Sequence, residues 1–507
     1  MKLRLKIFLI ALSGATMLGV SSCKKTLDRL AEYNVNENNP STASSSSLLT
    51  AAEYSGVMYQ EGSFSQDGDG DGFFGIYTGH FAGNHAQGVD YNQYILTHGS
   101  FSTIFNDAYV SSLMNLKQII LHAGDGEEGY VGIAEILQGY QLGYLTSVYG
   151  DIPWSQALDL LKYPHPKYDA QVDIYATAQA LLTDGIQKVK AADASSTDLA
   201  VDGDVIYSGD FKKWAAAGYL LKARFYNHFS KKDPTGSATS ALLMVDSAKL
   251  AGFTTNKDGG NFALPYDGVT SQTTNPWYFE FTNGMIAVNQ PFLDSMIAQK
   301  DPRLNAYLTS VDGVTGDSVY GKGYVISGVV GNGNHMGIGP DPWSYFGQAT
   351  SSVPMATYPE LLMIEAEAAL RSGDAARAAT AHNAAIKDQI NAVLSLPASL
   401  DSDKVKIPDY LTRFASETAG TITLEKIMTE KNKLMFAIEG EGWMDTRRTG
   451  NLYPTWLTIP VKDYSATPTV PVATTWIQRL LYPQSELDKN GSSVPSTTVF
   501  DKLPILQ

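Results

Sequence analysis

The residues Asp67-Gly-Asp-Gly-Asp-Gly72 place three carboxylates at every second position. Asp67, Asp69 and Asp71 match the opening half of a calcium loop, in which hard oxygens converge on the ion and glycine permits the turn. Such a loop closes with a bidentate acid at its twelfth position, and here that position is Thr78. The pattern offers half a site for a structural Ca2+, or an acidic turn, and no cofactor is required. Gly70, Gly72 and Gly75 also spell G-x-G-x-x-G, but Ser65-Gln66-Asp67 before them is not the hydrophobic strand that a dinucleotide site needs. The chain contains no H-E-x-x-H, no G-x-S-x-G and no P-loop. A lone cysteine excludes an internal disulfide and a cysteine-based zinc site. Glu439, Glu441, Asp445, Arg447 and Arg448 gather around Trp443. They follow the apolar Leu434, Phe436 and Ile438, so the cluster is expected to be a structural ion-pair network and not a catalytic carboxylate pair.

Aromatic residues are the better functional signal. Phe73, Phe74 and Tyr77 follow the Asp-Gly run, Trp277-Tyr278-Phe279 follow Asn275-Pro276, and Trp343, Tyr345 and Phe346 follow Gly339-Pro340-Asp341-Pro342. Sugar rings present C–H faces to aromatic faces, while polar side chains meet the hydroxyls. Ligand sites combine such apolar walls with a few placed polar groups. Phe74, His85, Trp277, Tyr278, Trp343 and Tyr345 are the expected ligand contacts, on aromatic character and loop context alone.

These loops need a scaffold, and the apolar period supplies one. Ile133, Ile136, Leu137, Tyr140, Tyr144 and Val148 share a helical face that ends at Gly150. Ile174, Tyr175, Ala178, Leu182, Ile186 and Val189 repeat the pattern behind Asp169, a candidate N-cap, and Trp214, Leu221, Phe225 and Phe229 do so behind Asp210. Leu361, Leu362, Ile364, Ala368 and Ala369 form another face, stopped by Gly373, and Asp374 is placed to cap the alanine-rich helix that follows. Glu365 to Ile386 reads as a tetratricopeptide-like hairpin in which small residues let two helices approach. The predicted fold is mainly α: helix pairs over about 105–233 and 355–450, a loop-rich ligand side with few short strands over about 234–354, and a body spanning 48–507.

The N-terminus reads as an export signal. Lys2, Arg4 and Lys6 precede an apolar run from Ile7 to Val20, too short to span a bilayer. Val20-Ser21-Ser22-Cys23 resembles a bacterial lipobox, so residues 1–22 are expected to be cleaved and Cys23 to carry palmitate-type acyl chains. Three chains, at ~0.8 kcal/mol per buried methylene, hold firmly. Residues 23–47 form a polar tether. The formal net charge is −15, with no acid in the signal, so the exported body is acidic. That argues against nucleic acid as a partner, and leaves lipid as the only contact with the membrane.

Seven segments, in order, resemble signatures of the SusD/RagB family of outer-membrane nutrient-binding lipoproteins, in its SusD-like branch. They are Tyr149-Gly-Asp-Ile-Pro-Trp154; Tyr168-Asp-x-Gln171; Gly209-Asp210-x-x-x-Trp214 running to Leu221-Lys-Ala-Arg224; Asp301-Pro-Arg-Leu304; Tyr358-x-Glu360 running to Glu365-Ala-Glu367; Glu441-Gly-Trp443-x-Asp445 with Arg447-Arg-x-Gly450; and Arg479-Leu-Leu-Tyr-Pro483 with Glu486 and Asn490. The resemblance implies tetratricopeptide-like helix pairs and a lipid-anchored protein, usually on the cell surface. It implies delivery of oligosaccharides, or in some members peptides, to a SusC-type TonB-dependent transporter, with no chemistry performed. The signature residues look structural. Ligand contacts vary between members and are not carried over.

Overall fold

The computed structural model describes residues 43–58, 70–83, 87–195, 197–198, 200–256, 260–283, 285–310, 336–457, 459 and 475–507. Cys23 and the residues before 43 lie outside this set. The protein is mainly helical. Its principal helices are α1 (Ser45–Met58), α2 (Asp71–Thr78), α3 (Met114–His122), α4 (Glu128–Tyr149), α5 (Gln171–Ala194), α6 (Phe211–His228), α7 (Pro234–Leu250), α8 (Pro276–Asn283), α9 (Tyr358–Arg371), α10 (Ala375–Val393), α11 (Leu424–Leu434) and α12 (Glu439–Arg448). No helix among the described residues is long and apolar enough to cross a membrane.

Helices pack as neighbours in sequence: α4 on α5, α6 on α7, α9 on α10. The pairs then join, α5 to α6 and α7 to α9. The centre is α4, buried at every position from Gly129 to Tyr149. The apolar face led by Ile133 is thus only one side of a helix that is covered all round. Its approach to α5 is set by glycine: a Cβ on Gly185 would sit 2.6 Å from the Gly132 carbonyl oxygen. Backbone cannot give way there as a flexible side chain does.

Local signals fix most helix ends. Asp210 accepts from the N–H groups of Lys212 and Lys213, and Asp374 from Arg377 N–H at 3.0 Å. Gly373, with φ +87°, turns the chain between α9 and α10. Thr357 and Glu360 form a reciprocal capping box at the start of α9. Two expectations need correction. Asp169 is not the cap of α5; it pairs in a strand and accepts from the N–H groups of Trp154 and Ser155, while Asp151 accepts from Gln171 N–H at 2.8 Å. Residues 234–250 are not loop but helix α7, begun by Asp233 and Pro234. Its inward face is Ser237, Ala238, Ala241, Val245 and Ala248, small residues whose period is faint in hydropathy.

Strands are short and paired in twos, all antiparallel: β1 (Phe81–Gly83) with β5 (Ile286–Val288), β2 (Ile152–Pro153) with β3 (Tyr168–Asp169), β4 (Phe262–Leu264) with β8 (Val353–Ala356), and β6 (Thr309–Ser310) with β7 (Met336–Gly337). In the β4–β8 pair Phe262 lies opposite Ala356. Phe262 also meets Trp214 of α6 edge-on at 5.7 Å.

Helix α1 docks through a carboxyl. Glu53, 1 % exposed, accepts from Val205 N–H at 2.8 Å and faces Asp204. Asp204 already accepts from three backbone N–H groups and from Trp214 Nε1 at 2.7 Å. Burial, then the Asp204 charge, push the Glu53 carboxyl well above the usual carboxylate range. The folded protein therefore keeps this proton while the unfolded chain releases it. Stability falls as pH rises above the unfolded value, and the deficit is complete once the folded value is passed. Glu53→Gln is expected to raise the midpoint of urea unfolding at pH 7 by the equivalent of about 1 kcal/mol. It should leave the midpoint unchanged at pH 4; a loss of stability at pH 7 would show that the carboxylate itself is needed.

Candidate functional site

Asn275 assembles the loop-rich side. Wholly buried, it donates from Nδ2 to the carbonyls of Phe346 (2.5 Å) and Gln348 (3.1 Å), and its backbone N–H reaches the Ala349 carbonyl at 3.0 Å. Its Oδ1 accepts from Trp277 N–H at 3.0 Å, opening α8. One side chain thus clamps the Trp277-Tyr278-Phe279 segment to the Trp343–Phe346 segment, although 71 residues separate Asn275 from Phe346. Tyr345 N–H donates to the Ala306 carbonyl at 2.8 Å, tying the same loop to the helical body.

The expected contacts divide. Trp343, Tyr345 and Tyr278 are half-buried. Burial raises the Tyr345 hydroxyl above its usual range. Trp343 Nε1 has no hydrogen-bond partner among the described residues. Trp277 points inward instead: it is 1 % exposed and packs on Phe81 at 5.8 Å. Phe74 is fully buried, stacked on Phe101 at 5.2 Å and on Trp443 at 5.3 Å. Both are core residues, a correction to their reading as exposed contacts. The reason is that α2 is clamped between scaffold and loops, so Phe73, Phe74, Ile76 and Tyr77 are all covered. His85 lies outside the described residues, as do Asp67 and Asp69; Asp71 is described as the first residue of α2. Among the described residues no three His, Cys, Asp or Glu side chains gather as a metal site.

Beside Tyr345 lies a cavity of about 420 Å3, between β4, β8, the end of α10 and the segment Leu434–Ile438. Its polar lining includes Asn256, Asn261 and Gln389, which no motif singled out. A signal in the sequence is hard to find: Gln389 is one polar residue on an amphipathic helix, and the two asparagines flank the polar sequence Lys257-Asp-Gly-Gly260.

The charged cluster around Trp443 is interior. Glu441 accepts from His228 Nε2 at 2.8 Å and lies 3.7 Å from Arg224; Asp445 pairs with Lys431 at 2.8 Å and with Arg448 at 2.6 Å; and Arg448 also grips Glu367. Glu439 pairs with His80 at 2.8 Å. Arg447 stacks over Trp443 at 3.9 Å and donates to the Gln478 carbonyl. Burial brings the Arg447 guanidinium down to about 9. These groups join α12 to α6, α9 and the C-terminal segment, and all are buried.

The SusD-like family model, described as "starch-binding associating with outer membrane", matches residues 37–483. No curated protein sequence matches. Solved structures do. A SusD/RagB family protein from Bacteroides thetaiotaomicron superposes with a TM-score of 0.68 at 20% identity, covering 89% of this chain and 95% of its own. A SusD homolog from Bacteroides fragilis gives 0.69 at 21% identity, covering 91% and 100%. A chitin-binding SusD homolog from Flavobacterium johnsoniae gives 0.64 at 19% identity, covering 89% and 92%. At these identities the structures show the shared fold, and the match of the family model over most of the chain shows the lineage. The chain belongs to the SusD-like family, whose model is described as starch-binding and associated with the outer membrane.

Proposed function

We propose that the protein is a lipid-anchored receptor subunit of an outer-membrane uptake system. It is held through acylated Cys23, faces the cell exterior, binds an oligosaccharide and passes it to a SusC-type TonB-dependent transporter without chemically changing it. The observation that carries this reading is the set of half-buried Tyr278, Trp343 and Tyr345, on helix α8 and the loop that Asn275 clamps to it, with Tyr345 N–H tying that loop to the helical body. Rings fixed in this way lose little entropy on stacking against a sugar. Trp277 lies in the core, packed on Phe81, and His85 is a further polar contact proposed from sequence. The description of the family model as starch-binding and the chitin-binding relative support a glycan over a peptide. Against a glycosidase, the carboxylates around Trp443 are interior and matched to His80, His228, Lys431 and arginines.

The test is intrinsic tryptophan fluorescence of the anchor-free protein, titrated with malto-oligosaccharides and chitin oligosaccharides, with the same samples assayed for product. A saturable change without product is expected, and Trp343→Ala should weaken it about tenfold or more, equivalent to ~1.4 kcal/mol. Hydrolysis of either glycan would overturn the receptor reading. Saturable binding of peptides only would replace the oligosaccharide with the second ligand class of such complexes.

A further inference from the structure

The cavity beside Tyr345 has a character of its own. Its floor is apolar, with Phe346, Leu434 and Phe436, and among the described residues no Asp, Glu, Lys, Arg or His lines it. Its wall carries three carboxamides in a directed chain. The Tyr358 backbone N–H can only donate, so Asn261 must turn Oδ1 towards it, at 2.9 Å. Asn261 Nδ2 is then left to donate to Asn256 Oδ1. Asn256 Nδ2 donates to Gln389 Oε1 at 3.1 Å, and Gln389 Nε2 donates to the Tyr307 hydroxyl at 3.0 Å. One backbone group thus sets the orientation of all three amides. Each uses its oxygen and one N–H within the chain and keeps a second N–H with no partner among the described residues. Gln389 is only 4 % exposed, so its spare donor has little access to bulk water.

A wall of amide donors over an aromatic floor suits oxygen acceptors on a ring with apolar faces. A charged ligand would lose its hydration here and meet no counter-charge among the described lining residues. A volume of about 420 Å3 is near the lower end of small-molecule sites, roughly 300–1,000 Å3, and admits one or two rings, not an extended chain. We infer that this cavity, which shares Tyr345 with the surface formed by Trp343 and Tyr278, is a second binding site for a single uncharged ring bearing several acceptor oxygens, of monosaccharide size. The inference does not depend on the loops binding a glycan; the two sites can be tested apart.

The measurement is saturation-transfer NMR on the full-length lipoprotein in detergent, with glucose and N-acetylglucosamine as neutral probes, glucuronate as the anion and glucosamine as the cation. At least one neutral sugar should saturate, with both charged sugars tenfold weaker or worse. Gln389→Met keeps the volume but breaks the chain of amides, and Asn256→Leu removes its middle member. Each should abolish the signal. Circular dichroism identifies a variant that has merely unfolded, and the other variant then decides. Equal binding of charged and neutral sugars, no saturation by either neutral sugar, or a signal lost in Trp343→Ala but kept in folded Asn256→Leu would each overturn the assignment.

Discussion

Arg303→Ala is expected to cost about 3–5 kcal/mol, enough to leave much of the protein unfolded at physiological temperature. Arg303 is fully buried and pairs with Asp301 at 2.7 Å and Glu430 at 2.9 Å. Its guanidinium also donates to the Tyr410 hydroxyl at 2.7 Å. Lys433, equally buried, contacts Glu430 at 2.8 Å and Asp301 at 3.4 Å. Removing Arg303 leaves two buried carboxylates facing a single ammonium. The cluster ties the Asp301–Leu304 turn, beneath the ligand-side loops, to Tyr410 and α11, so the damage is not local. Urea unfolding followed by circular dichroism at 222 nm measures it. A loss below about 1 kcal/mol would mean that Lys433 alone neutralises the pair.

Acid should unfold the protein cooperatively between about pH 5 and pH 2, through three buried carboxylates on different elements. Burial by itself raises the Glu441 carboxyl, but His228 and Arg224 overcome this and bring it down to about 2. In Glu367 the same burial is outweighed by Arg448 and then Arg371, which hold it well below the usual range. Asp301 is likewise depressed, its burial outweighed by Arg303 and Lys433. Because the folded values lie below the unfolded ones, the stabilisation is complete above the unfolded range near pH 4. It is lost as pH falls through the folded values. Glu53 runs the other way, so stability should peak at mildly acidic pH. The urea midpoint measured from pH 3 to pH 8 checks both slopes. A midpoint that holds steady down to pH 3 would show that these carboxylates keep ordinary affinities.

Much of the scaffold was legible because helix formation is largely local. The faces led by Ile133, Ile174, Trp214 and Leu361 follow helical spacing, and all lie in helices except Phe229, the residue that ends α6. Asp210 and Asp374 cap because a carboxylate before a helix meets free N–H groups whatever else the chain does. The charged run from Glu439 to Arg448 was readable as structural because apolar neighbours carry it inward. Helix α7 escaped because its buried face is alanine and serine apart from Val245, too small to mark a period.

The sequence alone determined the class of fold, the helix boundaries set by caps and glycines, and the family signatures. Tertiary structure decided which aromatic rings face outward. Phe74 and Trp343 both follow turn-rich segments, yet Phe74 is closed in by Phe101 and Trp443, while Trp343 stays half-open. Tertiary structure also decided that Asn256 and Gln389, 133 residues apart, share one hydrogen bond. The physical reason is range. Capping and periodicity act within a few residues, whereas burial and the pairing of polar groups depend on segments brought together only when the core forms.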